Sequence, residues 1–138
     1  SKVYGLPGLR VGYAICMPET VKNFWVYTSF PSPVAIHGAT AALDDKDHIF
    51  ATQNAIQEGR EYLYSELDKL GLTYTPSQSN FMVVQVGDAK QIADKLAKQK
   101  VFVRNADRNW GVKNHIRVSI GTREENEAFI NTLRQVSV

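Results

Sequence analysis

Ser1-Lys2-Val3-Tyr4-Gly5-Leu6-Pro7-Gly8-Leu9-Arg10-Val11-Gly12-Tyr13 opens the sequence and places one lysine and one arginine on either side of a short glycine-rich reach. Gly5, Pro7 and Gly8 favour a tight reversal with apolar residues before and after it. A chain that doubles back there can return Arg10 toward Lys2. Lysine offers an amine for covalent chemistry, and arginine offers a planar donor fork that matches phosphate oxygens. Spacing alone leaves two readings open: an amine and a phosphate clamp working as a pair, or a hairpin whose two cations are solvated. Gly5-x-x-Gly8 is no nucleotide fingerprint, because neither the G-K-[ST] nor the G-x-G-x-x-G context surrounds it.

Two further stretches stand out downstream. One is Ser79-Asn80-Phe81. The other runs through Val101-Phe102-Val103-Arg104 to Ile116-Arg117-Val118-Ser119-Ile120-Gly121-Thr122-Arg123-Glu124-Glu125-Asn126. Arg104 and Arg117 each end or interrupt an apolar run, where a charge is costly unless an anion meets it. A salt bridge within the protein is the plain explanation for such an arginine; a bound anion is the functional one. Asn80 falls on the expected strand, where its amide needs partners if buried.

Taken together and in this order, the three stretches resemble the class I/II aminotransferases of fold type I, most closely their histidinol-phosphate aminotransferase branch. The opening matches S-K-x-x-G-x-x-G-x-R-x-G, the middle S-N-F, and the end V-x-V-R … I-R-V-[ST]-[VI]-G-T-x-E-E-N. The matches span essentially the whole chain. The resemblance implies pyridoxal 5'-phosphate as cofactor, with Lys2 carrying its aldehyde and then moving the proton of transamination. It implies Ser1 and Arg10 on the cofactor phosphate, and Arg117 on the substrate anion. Arg104 beside it suits a phosphate, since two arginines on one group exceed what a single carboxylate requires. Asn80 is implied near the substrate. The resemblance also implies a homodimer and a small-molecule amino donor, such as histidinol phosphate, with a 2-oxo acid such as 2-oxoglutarate. A threonine-phosphate decarboxylase or a general amino-acid aminotransferase shares the same features. Outside enzymes, residues 72–138 alone read as β-α-β-β-α, the build of a small ligand-binding regulatory module.

The fold class expected is α/β, the C-terminal part of a fold-type I transferase. Residues 1–47 are the expected remnant of the cofactor-binding large domain, 48–70 a long inter-domain helix, and 71–138 a small α+β domain. The ring-stacking aromatic and the aspartate for the ring nitrogen would lie upstream. The fragment by itself is therefore expected to be inactive, and the chain to be part of a longer enzyme.

Composition narrows the class without fixing it. The 138 residues are 43% hydrophobic with a net charge of +2, ordinary for a soluble globular protein. There is no basic run with interleaved aromatics to bind nucleic acid, and no apolar stretch of membrane-spanning length. A single cysteine, Cys16, precludes an internal disulfide and fits a reducing cytoplasm; its apolar run Val11–Met17 predicts a buried thiol. His37, His48 and His115 lack metal-ligand spacing, so no metal is expected.

Periodicity supplies the elements. Val3-Tyr4 and Val11–Cys16 read as short strands, and Val21, Phe24, Trp25 and Thr28 recur at helical spacing. After the break at Phe30-Pro31-Ser32-Pro33, residues 34–43 read as a helix whose small residues, including Gly38, allow close packing. Ile49, Ile56, Leu63 and Leu70 recur every seven residues, with Phe50 and Leu67 widening the stripe, so a helix is predicted over 48–70 with Gly71 as its stop. Beyond it come a strand over 80–86, a helix over 88–100 with a lysine-rich solvated face, and a strand over 101–104. A loop around Trp110, which could pack the loop or edge a pocket and is assigned the packing role, leads to a strand over 115–120 and a helix over 123–136 capped by Thr122.

Overall fold

A computed structural model describes residues 2–24 and 30–136, so Ser1, Trp25 and Thr28 lie outside the described residues. The chain divides into two compact units, Ser1–Gln53 and Asn54–Val138.

The first unit holds a 3-10 turn at Pro7–Leu9, helix α1 (Pro18–Phe24), helix α2 (Pro33–Asp44) and the start of helix α3 (Lys46–Lys69). Ser32 caps α2 by accepting from the Ala35 N–H at 3.2 Å, and Pro33 occupies the first turn, where its missing N–H costs nothing. Asp45 caps α3 through the His48 N–H at 3.0 Å. A Cβ on Gly38 would stand 2.9 Å from Leu9 Cδ1, so the bare backbone lets the 3-10 turn press against α2. The two strand pieces expected here are absent: 2–5 form a turn and 11–17 carry no regular structure. A strand needs a hydrogen-bonded neighbour, and no described residue of this unit provides one. Cys16, expected to be buried in such a strand, is exposed. Ile15 and Phe50 are 91% and 66% exposed, so Phe50 does not join the stripe its neighbours build.

The second unit contains the rest of α3, strand β1 (Tyr74–Thr75), strand β2 (Phe81–Gln85) and helix α4 (Ala89–Lys98). Strand β3 (Arg104–Asn105), helix α5 (Ala106–Trp110), strand β4 (His115–Ser119) and helix α6 (Arg123–Val136) complete it. Its sheet has the order β1-β2-β4-β3 and every pairing is antiparallel. Met82 and Val84 on β2 and Ile116 and Val118 on β4 alternate with more exposed neighbours, so one face of the sheet is buried. Leu63 and Leu67 from α3, Leu96 from α4 and Leu133 from α6 join that core, all at 0% exposure. Each such burial contributes about 1.5–3 kcal/mol of transfer free energy.

The ends of the helices follow from local chemistry. At the end of α3, Gly71 has φ 67°, its N–H bonds the Asp68 carbonyl at 3.0 Å, and the Leu72 N–H bonds the Leu67 carbonyl at 3.0 Å. This is the left-handed stop that glycine makes cheaply. Thr122 and Glu125 cap α6 reciprocally: Glu125 N–H donates to Thr122 Oγ1 at 3.3 Å, and Thr122 N–H donates to Glu125 Oε2 at 2.9 Å. Gly59 in α3 faces this junction, where a Cβ would come within 2.7 Å of Ile120 Cγ2 and 2.8 Å of Asn126 Nδ2. The lysine-rich face of α4 is solvated except at Lys95, whose Nζ donates to the Val136 carbonyl at 3.1 Å.

Candidate functional site

In the first unit Lys2 and Arg10 both stand exposed at the two ends of the opening turn. The Gly5 N–H closes that turn on the Lys2 carbonyl at 3.1 Å, with Gly5 at φ 65°. Arg10 itself adopts φ 51°, and its Nη1 donates to the Pro7 carbonyl at 3.1 Å, tying the guanidinium back over the 3-10 turn. A cavity of about 350 Å³ opens nearby, lined by Tyr4, Val11, Tyr13, Ile36, Thr40 and Leu43 among others, but by neither cation. Burial, with the hydrogen bond to Tyr13, holds the Tyr4 hydroxyl above its ordinary range. As a donor set, Lys2 and Arg10 fit pyridoxal 5'-phosphate: a primary amine for its aldehyde and a guanidinium with most donors uncommitted for its phosphate. No ion pair among the described residues occupies either cation.

In the second unit the structure brings Arg104 and Arg117 together. They are Cα partners across β3 and β4, so their side chains leave the same face of the sheet. That face is the one opposite the core. The two arginines line a cavity of about 290 Å³ with Asn105, Ala106 and Trp110. The Arg117 guanidinium carbon lies 5.2 Å from the Phe81 ring centre and 5.5 Å from that of Trp110. The two rings are 5.5 Å apart at 50°. Arg117 Nε is buried without a hydrogen-bond partner. No salt bridge among the described residues reaches either arginine, so the plain explanation for charges at these strand positions is not met here. Two like charges directly opposite repel. The arrangement leaves two cations facing one cavity with no carboxylate paired to either among the described residues.

Asn80 lies just before β2 rather than in the strand, and it is exposed. Its carbonyl accepts from the Ile120 N–H at 2.9 Å, and it is not part of the cavity wall. The segment that carries it is fastened firmly. Ser77 N–H donates to Tyr64 Oη at 2.7 Å, Ser77 Oγ donates to the Phe81 carbonyl at 2.6 Å, and Arg60 Nη2 reaches the Ser79 carbonyl at 3.5 Å. Ser1 lies outside the described residues, and no group of three or more metal-ligating side chains occurs among those described.

The sequence did not single out Phe81, and for Trp110 it favoured packing over the pocket edge where the structure places it. Phe81 pairs with Ser119 and Val83 with Arg117, which makes Phe81 and Arg117 diagonal neighbours on one face. An aromatic residue two positions from a strand arginine's partner is the signal that could have found it. Trp110 gives no such signal, because the five-residue helix that carries it is too short to show a period.

Residues 1–133 match the family described as aminotransferase class I and II. The histidinol-phosphate aminotransferase of Moorella thermoacetica is 37% identical over 142 residues, covering 99% of this chain and 36% of the relative. That of Akkermansia muciniphila is 39% identical over 139 residues, covering 99% of this chain and 38% of the relative. The crystal structure of histidinol-phosphate aminotransferase from Sinorhizobium meliloti in complex with pyridoxal-5'-phosphate superposes with a TM-score of 0.83 at 29% identity. It covers 98% of this chain and 38% of that one. The chain thus spans little more than a third of the length of the curated relatives it matches. Over that span, the chain belongs to the class I and II aminotransferase family.

Proposed function

We propose that this chain is part of a pyridoxal 5'-phosphate-dependent aminotransferase whose amino donor carries a phosphate, histidinol phosphate being the leading case, with 2-oxoglutarate as acceptor. The observation that carries the reading is the opposition of Arg104 and Arg117 across β3 and β4, both lining one cavity. Two cations held face to face suit a doubly charged oxyanion better than the single charge of a carboxylate. The relatives named histidinol-phosphate aminotransferase support the same donor class.

When bound, pyridoxal 5'-phosphate supplies an aldehyde for the amino group and a ring that stabilises charge at the carbon losing its proton. Lys2 Nζ would hold that aldehyde at rest. Once displaced by the donor's amine, Lys2 Nζ would accept the proton from the donor's amino-bearing carbon and return it on the cofactor side. Arg10 would grip the cofactor phosphate through the nitrogens it does not spend on the Pro7 carbonyl. The Ser1 hydroxyl would add a neutral donor beside it. Arg117 and Arg104 would take the donor's anionic group, and Asn80 would stand near the substrate.

On this reading residues 1–47 belong to the cofactor-binding domain, 48–70 to the inter-domain helix and 71–138 to the small domain. The enzyme works as a cytoplasmic homodimer. No helix among the described residues is long and apolar enough to cross a membrane.

The deciding experiment adds pyridoxal 5'-phosphate to the full-length protein and to Lys2→Ala. A visible absorbance band that the variant lacks, together with loss of amino transfer, is expected. Absence of a band from both proteins would overturn the proposal.

A further inference from the structure

We infer that Trp110 is a positioning residue that sets the site's preference for phosphate, acting through the guanidinium of Arg117. The inference rests on the proposed aminotransferase reading for its kinetic consequence and on the cavity alone for its binding consequence.

Trp110 is the last residue of α5 and stands 48% exposed at the cavity that Arg104 and Arg117 share. Its place is fixed at both ends of that helix. Asn105 Oδ1 accepts the Asp107 N–H at 2.9 Å at the start, and Gly111 turns the chain left-handed at φ 66° after it. Arg117 projects from β4 onto two aromatic rings, 5.2 Å from Phe81 and 5.5 Å from Trp110, both within cation–π range. Phe81 comes from β2, the strand paired with β4, and Trp110 from α5.

The consequence lies in which donors remain. Arg117 Nε is buried and unpartnered, and no acceptor among the described residues takes a hydrogen bond from the Arg117 side chain. The terminal nitrogens are therefore what Arg117 can offer an anion. A guanidinium held against aromatic faces keeps one orientation without a carboxylate to neutralise it, so its full charge stays available to a ligand. Arg104, on the partner position of β3, is exposed and has no comparable cradle. Trp110 thus completes the two-cation receptor by fixing Arg117, whose Nε has no hydrogen-bond partner among the described residues.

Calorimetric titration of the full-length protein with inorganic phosphate, and separately with acetate, tests this in wild type, Trp110→Leu and Trp110→Phe. Phosphate affinity is expected to fall about tenfold in Trp110→Leu and to stay within about threefold of wild type in Trp110→Phe, because the ring and not the bulk is what matters. Trp110→Met, which also lacks a ring, replaces the leucine variant should that one fail to fold. Acetate should bind weakly to all of them. In the amino-transfer assay the ringless variant should raise KM for a phosphorylated donor about tenfold with kcat within about threefold. Unchanged phosphate affinity in the ringless variant, or equal losses in the ringless and phenylalanine variants, would overturn the inference. If phosphate binding follows expectation while no variant, wild type included, transfers an amino group, the proposed function fails and the role of Trp110 stands.

Discussion

Arg104 and Arg117 are partners in the antiparallel register of β3 and β4, two cations directly opposite one another with no carboxylate paired to either among the described residues. Such an opposition costs stability in the free protein and becomes favourable only when an anion sits on it. On the proposed function it would link the folding of the small sheet to ligand chemistry, because the repulsion that weakens the strand pair is what a bound phosphate would relieve.

Arg104→Ala should therefore separate stability from binding. In low salt the variant is expected to be as stable as wild type or more stable by about 0.2–1 kcal/mol, with the difference closing as salt screens the repulsion. Inorganic phosphate should raise the unfolding temperature of wild type much more than that of the variant. KM for a phosphorylated donor should rise about 10–100-fold, the worth of a hydrogen bond to a charged group. Thermal unfolding at two ionic strengths, with and without phosphate, checks the first two expectations, and steady-state kinetics the third.

Helix α4 ends in the same hydrogen-bond pattern as α3, but with a lysine where α3 has glycine. Lys100 has φ 63°, its N–H bonds the Ala97 carbonyl at 2.9 Å, and the Val101 N–H bonds the Leu96 carbonyl at 3.0 Å. A side chain in the left-handed region is strained, and glycine relieves that strain at some entropic cost in the unfolded chain. Lys100→Gly is expected to stabilise the protein by about 0.5–1 kcal/mol, and Gly71→Ala to destabilise it by at least as much. Denaturant unfolding midpoints of the two variants, which should move in opposite directions, check this.

Much of the second unit is legible in the sequence because its signals are repeated or chemical. The seven-residue recurrence through Ile56, Leu63 and Leu70 and the stop at Gly71 outline the length of α3, and Thr122 with Glu125 marks the start of α6. What escapes is whatever is short or depends on a partner. β1 and α5 have two and five residues, less than a period can register, and the strand expected over 101–104 forms instead at Arg104–Asn105. The face shared by Arg104 and Arg117 is settled by a register that the loop between them hides. In the first unit the apolar run around Cys16 has the composition of a buried strand, yet pairing is a property of the neighbour and cannot be read from the strand itself. Lys2 and Arg10 are placed in sequence by their motif, while the turn between them, with Arg10 tied to Pro7, is seen only in the structure.

Glu66 on α3 gives the second unit a dependence on acid. Its Oε1 is 2.6 Å from Lys69 Nζ and its Oε2 3.2 Å from Arg134 Nη2 on α6, with the carboxylate side chain only 15% exposed. The hydrogen bond from Lys69 foremost, aided by the charges of Lys69 and Arg134, holds its carboxyl below the ordinary glutamate range, while desolvation pulls the other way. A carboxyl whose folded value is depressed stabilises the fold fully above its unfolded value, and that contribution is lost as pH falls through the folded value. Glu66→Gln should therefore be less stable than wild type at neutral pH, with the gap narrowing as pH drops below the ordinary glutamate range. High salt should narrow it too, since both cations are more than half exposed. Unfolding temperatures of the two proteins across an acid-to-neutral series test this; a gap independent of pH would mean that Glu66 acts through packing rather than through its charge.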